Sequence, residues 1–150
     1  MSHACVMRNI FEFTSNIVQV GVRSLSQSEY NFARTHKINI LWARDMEYLS
    51  TQQILERILN SLTDRVYITF DVDYFSLDVI SDTGTPEPGG PGWFKTLEIL
   101  EGIFKHKEVI AMDVVELIGK QEDSFSAFSA ALLIKKCLVY KFFRKNPISL

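Results

Sequence analysis

Apolar and polar positions alternate along the chain in blocks that predict strands separated by helices. Four apolar runs rich in β-branched residues have the length of buried strands, at 17–22, 38–43, 66–72 and 109–117. Helical spacing of apolar residues predicts helices at 7–13, 26–33, 54–62, 94–104 and 124–143. Strands separated by helices are typical of βαβ units. We therefore expect a three-layer α/β/α fold around a mostly parallel sheet.

Two of the predicted helices carry finer signals. Ser50 precedes an apolar helical pattern, and Gln53 lies three positions after Ser50. A serine with a glutamine three positions later is the signature of a capping box. In the last predicted helix the apolar residues share one stripe, which predicts an amphipathic helix packed on a core. This stripe consists of Ala127, Ala131, Ile134 and Leu138.

Composition narrows the class of protein. The chain has 150 residues, 47% of them hydrophobic, which is enough for one domain with a real core. The net charge is −2 and no basic patch stands out, which argues against nucleic acid as a partner. No apolar run approaches the roughly 20 residues that cross a membrane. Cys5 and Cys137 lie in apolar contexts without metal-binding spacing, as in reduced core thiols of a cytoplasmic protein.

Asp71 and Asp73 are the sharpest chemical feature of the sequence. They end the apolar run 66–72, at the carboxyl end of a predicted parallel strand, where α/β sheets bind ligands. Side chains alternate along a strand, so we expect both carboxylates to point to one side. Two buried carboxylates that point the same way repel each other, so both stay ionised only beside a cation, and a hard divalent metal such as manganese or magnesium supplies one. A helix-capping or turn role without metal is the alternative interpretation.

Three further positions are candidates. Glu116 falls late in the last predicted strand, where its carboxylate is able to pair with a planar guanidinium group or with a basic side chain of this chain. The loop at 83–90, TGTPEPGG, is stiffened by proline and contains glycines that allow a close backbone approach. Arg23 ends the first predicted strand and is predicted to be a structural ion-pair partner.

Several segments of the sequence, in their order and spacing, resemble those of the ureohydrolases, the family of arginases and agmatinases. The resemblance rests on TFDVD at 69–73, TGTPEPGG at 83–90 and MDVVE at 112–116. VGVRS at 20–24 and ILWARDM at 40–46 are similar to the agmatinase branch. The resemblance covers essentially the whole chain and implies an arginase-like α/β/α domain.

The resemblance also implies an activity and roles for single residues. Family members hold two manganese ions and hydrolyse a guanidinium group to urea and an amine. By resemblance Asp71 and Asp73 match metal ligands, and Glu116 matches the carboxylate that binds the guanidinium group. Thr85 matches a substrate-binding loop residue, and His3 matches a catalytic histidine suggested to transfer protons. The implied substrate is a small guanidino compound, with agmatine favoured, and the implied assembly is a homo-oligomer, a trimer or hexamer.

The sequence departs from the family in one major respect. Family members carry GGDH and DAHxD motifs that supply the remaining metal ligands, and neither motif occurs in this sequence. We therefore expect residues 1–150 to be the C-terminal half of a single ureohydrolase domain, poorly active without the missing N-terminal half. In addition, Ser76 stands where the family commonly has an aspartate that supports the site.

Several other functions stay open at this point. One is an arginase or another guanidino or formimino hydrolase of the same family. Another is a non-catalytic interaction subunit derived from the family. A generic α/β domain that binds a magnesium phosphate compound through Asp71 and Asp73 is a weaker alternative, because Glu87 and Pro88 interrupt any phosphate cradle of backbone N–H groups.

Overall fold

The computed structural model of the chain describes residues 6–119 and 124–143, in which helices and strands alternate. The helices are α1 (Val6–Phe11), α2 (Gln27–Thr35), α3 (Ala43–Met46), α4 (Thr51–Asn60), α5 (Trp93–His106) and α6 (Phe125–Phe142). The strands are β1 (Val18–Val22), β2 (Asn39–Trp42), β3 (Arg65–Asp71) and β4 (Glu108–Val115). A 3₁₀ turn, Val72–Tyr74, follows β3 directly. The elements match the predicted order, and the sequence pattern did not show α3 or the 3₁₀ turn.

Local side-chain chemistry fixes where the helices begin. The Ser50 hydroxyl accepts the Gln53 backbone N–H at 3.2 Å, and the Gln53 side chain accepts the Ser50 N–H at 2.9 Å. This reciprocal pair satisfies two backbone donors that the first turn of α4 leaves free, and it confirms the predicted capping box. Ser26 and Glu29 form a second capping box at the start of α2.

The described strands form two parallel pairs. β1 pairs with β2, and β3 pairs with β4, with Asp71 opposite Val115 at the end of the second pair. The parallel direction is as predicted, although within the described residues the two pairs are not hydrogen-bonded to each other. Because parallel strands end at the same edge, the segments that follow β3 and β4 begin side by side.

The main core packs α4, α5 and α6 against the β3–β4 pair. Ile54 of α4 and Leu133 of α6 are fully buried in it. Val72 and Phe75, on either side of Asp73, are also fully buried, which anchors the 3₁₀ turn in the core. Cys137 is buried in α6, as predicted.

The orientation of α6 differs from the predicted one. Its buried side is formed by Ser126, Ser129, Ala130, Leu133 and Cys137, whereas Ile134 and Leu138 of the predicted stripe are 43% and 53% exposed. The helix is apolar on nearly every side, so residue spacing alone does not select a buried face. Small residues on the buried side allow α6 to approach its neighbours closely. Within the described ranges no helix is long and apolar enough to cross a membrane.

Candidate functional site

Asp71 and Asp73 lie together where β3 passes into the 3₁₀ turn. Asp71 is the last residue of β3, and its Oδ1 accepts the backbone N–H of Asp73 at 3.0 Å, which caps the turn. Asp73 is therefore not on the strand. The predicted reason for the juxtaposition, strand alternation, is wrong because that alternation stops at Asp71. The capping hydrogen bond sets the geometry of the pair instead.

The carboxylate of Asp73 is held from two sides. The Thr85 hydroxyl donates a hydrogen bond of 2.8 Å to Asp73 Oδ2. Arg23 Nη2 lies 3.6 Å from Asp73 Oδ1, and the same guanidinium group donates to the backbone carbonyls of Asp73 and, at 3.0 Å, of Tyr74. Arg23 is thus a structural ion-pair partner, as predicted. Its partner is one of the two candidate metal ligands.

Negative charge accumulates around Asp71. Burial, as the largest cause, and the charges of Asp73 and Glu116 together raise the pKa of its carboxyl group to about 6, although the hydrogen bond from the Asp73 N–H acts to lower it. Glu116 directly follows Val115, the β4 residue that pairs with Asp71, so this third acidic residue lies beside the pair. A region of this kind favours a bound cation or proton.

Glu116 directly follows β4 and has a positive φ of 65°. It was predicted to lie late in the strand 109–117, but β4 stops at Val115, so Glu116 begins the next segment. This left-handed backbone is uncommon for a residue with a side chain, and strain of this kind often marks functional sites. A Cβ atom on Gly84 would lie 3.6 Å from Glu116 Oε2, which places the Glu116 carboxylate against the 83–90 loop.

The 83–90 loop is fixed at its start, middle and end. Thr83 forms an antiparallel bridge with Leu117, and Thr85 bonds to Asp73 as described. At the end of the loop, a Cβ atom on Gly90 would lie 2.4 Å from the carbonyl of Phe75, so only glycine fits without displacement of backbone. The loop therefore carries Thr85 to the carboxylate pair in a defined position.

Two residues that the sequence pattern did not single out complete this region. The Ser24 hydroxyl donates a hydrogen bond of 2.7 Å to Glu87 Oε1, and Arg23 Nε lies 3.9 Å from Glu87 Oε2. In the sequence, Arg23 was the one indication of these contacts, because a charged residue at the end of a buried strand requires a partner. Which acidic residues meet it depends on the path of the loop, and the sequence does not specify that path.

A cavity of about 490 Å³ lies beside this network. Its walls include Val22, Arg23, Trp42, Glu47 and Pro88. Asp71, Asp73 and Glu116 are not part of its lining. His3, the predicted catalytic residue, lies outside the described residues.

The donor set of this region meets only part of the needs of a metal site. Carboxylate oxygens are suitable ligands for a hard divalent cation, and the excess negative charge at Asp71 would be relieved by one. Within residues 6–119 and 124–143, however, no three His, Cys, Asp or Glu side chains are grouped as a metal-binding set. Asp71 and Asp73 therefore fit as part of a coordination shell and do not make a complete one.

Comparison with known proteins points in the same direction. The sequence model described as "Arginase family" matches residues 1–140. An N(1)-aminopropylagmatine ureohydrolase of Synechocystis sp. is 35% identical over 139 residues, which cover 93% of this chain and 45% of that protein. An agmatinase of Pyrococcus horikoshii is 36% identical over 133 residues, which cover 89% of this chain and 46% of that protein.

The fold comparison agrees with the sequence comparison. The crystal structure of agmatine ureohydrolase of Thermoplasma volcanium superposes with a TM-score of 0.84 at 22% identity and covers 96% of this chain and 50% of that one. This likeness confirms the predicted arginase-like α/β fold. The chain spans about half the length of the curated relatives it matches. By its sequence match over most of its length, the chain belongs to the arginase family.

Proposed function

We propose that this chain contributes part of a metal-dependent site that hydrolyses a guanidino compound, with agmatine as the favoured substrate. The observation that carries the proposal is the convergence of Asp71, Asp73 and Glu116 beside the 83–90 loop. Family membership supports a ureohydrolase reaction. The agmatinase and aminopropylagmatine ureohydrolase relatives are 33–36% identical and the arginases 28%, which favours agmatine or a related guanidino amine over arginine.

Asp71 and Asp73 are the residues that would hold the metal, with manganese as the expected ion. When bound, a divalent metal supplies the polarisation that lets water act as a nucleophile near neutral pH. The chain's own contribution is positional. Asp71 fixes the turn by accepting the Asp73 N–H, and Thr85 fixes one oxygen of the Asp73 carboxylate. The second Asp73 oxygen faces Arg23.

Glu116 is the residue proposed to bind the guanidinium group. A carboxylate accepts two parallel N–H bonds from a planar guanidinium group, which orients the central carbon. Thr85 is proposed, by resemblance, to contact the substrate. Its hydroxyl donates to Asp73 Oδ2, and the lone pairs of the same oxygen are able to accept an N–H of the guanidinium group. The proposed proton transfer by His3 stays a proposal from sequence resemblance alone.

The overall reaction balances without a further reactant. Water adds its oxygen to the guanidinium carbon, and the bond from that carbon to the alkyl-bearing nitrogen breaks. The leaving nitrogen takes a proton and departs as an amine, and the remaining carbon and two nitrogens leave as urea. With agmatine the amine product is putrescine.

We expect the 150-residue chain by itself to be poorly active. A two-metal site needs more protein ligands than two aspartates provide, and the described residues offer no third ligand grouped with them. The remaining ligands would have to come from a further segment or from another chain. A chain that needs such completion would bind manganese weakly through Asp71 and Asp73 and release little urea.

The test combines metal binding with a urea assay on the 150-residue chain. Manganese binding is followed by electron paramagnetic resonance, and urea release is measured with agmatine and with arginine. We expect weak manganese binding that falls further in Asp71→Asn and in Asp73→Asn, and urea release far below ordinary enzyme turnover. Asp64→Asn is the matched control, because the Asp64 side chain is fully exposed and lies away from the pair.

Two results would contradict this proposal. Manganese binding that is unchanged in both aspartate variants would remove the assigned ligands. Turnover with agmatine near about 10 per second, a typical enzyme value, would show that the described ligand set is sufficient.

A further inference from the structure

Arg23 joins three segments of the chain that are far apart in sequence. It directly follows β1, and its side chain is 10% exposed. Its Nη1 donates to the carbonyl of Tyr74 at 3.0 Å, and its Nη2 donates to the carbonyl of Asp73. The same group faces Asp73 Oδ1 at 3.6 Å and Glu87 Oε2 at 3.9 Å. One buried guanidinium group therefore contacts both the 3₁₀ turn and the 83–90 loop.

An irregularity in β1 accompanies this placement. The register of β1 against β2 shifts between Val20 and Val22, and Gly21 between them has a φ of 79°. A Cβ atom on Gly21 would lie 2.3 Å from the Tyr74 ring, so the ring occupies space that only glycine leaves open. β-Bulges of this kind redirect the side chains that follow them. The bulge thus lets Tyr74 pack on β1, two residues before Arg23.

Glu87 connects the 83–90 loop to the residues that follow β1. Ser24 donates to Glu87 Oε1 at 2.7 Å, so consecutive residues of the β1 end, Arg23 and Ser24, face both oxygens of this carboxylate. Arg23 Nε is buried and has no hydrogen-bond partner among the described residues. The carboxylate of Glu87 lies 3.9 Å from it, beyond hydrogen-bonding distance. Arg23 therefore contacts the 3₁₀ turn more closely than it contacts Glu87.

We propose that Arg23 is a positioning residue for the site, which acts by clamping the turn that carries Asp73 through two backbone carbonyls. This inference rests on the proposed function, because the residue that Arg23 orients, Asp73, is a proposed metal ligand. The fork of the guanidinium group is essential, because two carbonyls that belong to consecutive residues are bonded by its two terminal nitrogens. A single ammonium group has no such fork. Glu87, which accepts a hydrogen bond from Ser24, faces the other side of Arg23 and has the smaller effect on the turn.

The test measures backbone hydrogen exchange by NMR and needs neither metal nor turnover. Its reporter is the Asp73 amide, which donates to Asp71 Oδ1 when the turn is in place. We expect this amide to exchange about tenfold faster or more in Arg23→Gln and also in Arg23→Lys, while the Ile54 amide in α4 changes little. In Glu87→Gln the Asp73 amide should stay within about twofold of the parent chain, because the carbonyl bonds remain.

A spectroscopic signal and a matched control complete the test. The Nε–H resonance of Arg23 should exchange slowly with water in the parent chain and shift in Glu87→Gln, since this proton faces Glu87. Arg65→Gln is the control, because Arg65 pairs with Glu108 at 3.7 Å on the surface and both side chains are mostly exposed. It should leave the Asp73 amide unchanged.

The proposal has distinct failure outcomes. Full protection of the Asp73 amide in Arg23→Lys would mean that charge alone is sufficient, and full protection in Arg23→Gln would mean that Arg23 does not hold the turn. Equal acceleration of the Ile54 and Asp73 amides would mean a global loss of stability, which also overturns a local positioning role. A failed manganese or urea assay would affect the proposed function and leave these exchange rates as they are.

Discussion

The Thr85 hydroxyl donates a hydrogen bond of 2.8 Å to Asp73 Oδ2, which connects the middle of the 83–90 loop with the 3₁₀ turn after β3. This bond engages one oxygen of a candidate metal ligand and reduces the freedom of its carboxylate. Because the acceptor is charged, the bond is stronger than one between neutral groups. Thr85 thereby orients the Asp73 carboxylate.

Replacement of this hydroxyl should have a measurable effect on stability. We expect Thr85→Val to lower the free energy of unfolding by about 1 kcal/mol, since the site is partly exposed and water replaces part of the lost bond. Urea denaturation followed by tryptophan fluorescence measures the change. Thr85→Ser keeps the donor and should stay close to the parent chain. A Thr85→Val variant as stable as the parent chain would show that the hydroxyl bond contributes nothing to stability.

Gly21 should tolerate no side chain. Its φ of 79° opposes alanine, and so does the Tyr74 ring, which lies 2.3 Å from the point that a Cβ atom would occupy. We expect Gly21→Ala to destabilise the fold by about 1–3 kcal/mol, with a corresponding fall in melting temperature. Gly119→Ala is the control, because among the described residues no heavy atom lies within 4 Å of its Cβ position. A Gly21→Ala variant as stable as the parent would show that Tyr74 moves aside at little cost.

The capping box of α4 gives a prediction that is independent of the site. Ser50→Ala removes the acceptor for the Gln53 N–H, which lies 3.2 Å from the Ser50 hydroxyl. The expected loss is about 1 kcal/mol in the free energy of unfolding. Ser50→Asp retains an acceptor at the helix start and should restore most of the stability. If alanine and aspartate behave alike, the cap does not contribute.

Cys137 should be unreactive in the folded chain. Burial raises the pKa of its thiol to about 12, so very little thiolate is present near neutral pH. We expect iodoacetamide to modify Cys137 about a hundredfold more slowly, or slower still, in the native chain than in urea. Mass spectrometry of peptides separates this residue from Cys5. Rapid native modification would show that α6 opens readily.

The same shift has a consequence for stability at alkaline pH. The folded state holds the thiol proton more tightly than the unfolded chain does. The contribution of this raised pKa to the free energy of unfolding is therefore fully present below the ordinary thiol pKa. It is lost as pH rises toward about 12. Cys137→Ala should remove that part of the alkaline destabilisation while the remaining pH dependence persists.

Part of the candidate site could be predicted from the sequence, because it depends on the strand pattern of nearby residues. The residue types at 71, 73 and 116 follow apolar strand runs, and parallel strands end at one edge, so their convergence was predictable. The reason given for the pair was wrong, because the chain leaves the strand at Asp71 and turns. Whether a residue after a strand continues it or caps a turn depends on packing, here the burial of Val72 and Phe75.

The contacts of Arg23 illustrate the opposite case. The sequence indicated that Arg23 needs a partner but not that it meets Asp73 and Glu87, which lie 50 and 64 positions away. Such contacts require β1 and the 83–90 loop to be brought together by the fold. Likewise, α6 is apolar on most sides, and only its packing against α5 and β4 selects the face with Leu133 and Cys137.

The sequence by itself determined the order of helices and strands, the parallel strand direction, the helix caps and the residue types at the carboxylate edge, because each is set by periodicity or by chemistry within a few residues. The tertiary structure alone decided that Asp73 lies in a turn, that Thr85 and Arg23 hold its carboxylate, and that Glu116 adopts a left-handed backbone. These features depend on which distant segments are packed together, and that is a property of the whole chain rather than of any local pattern.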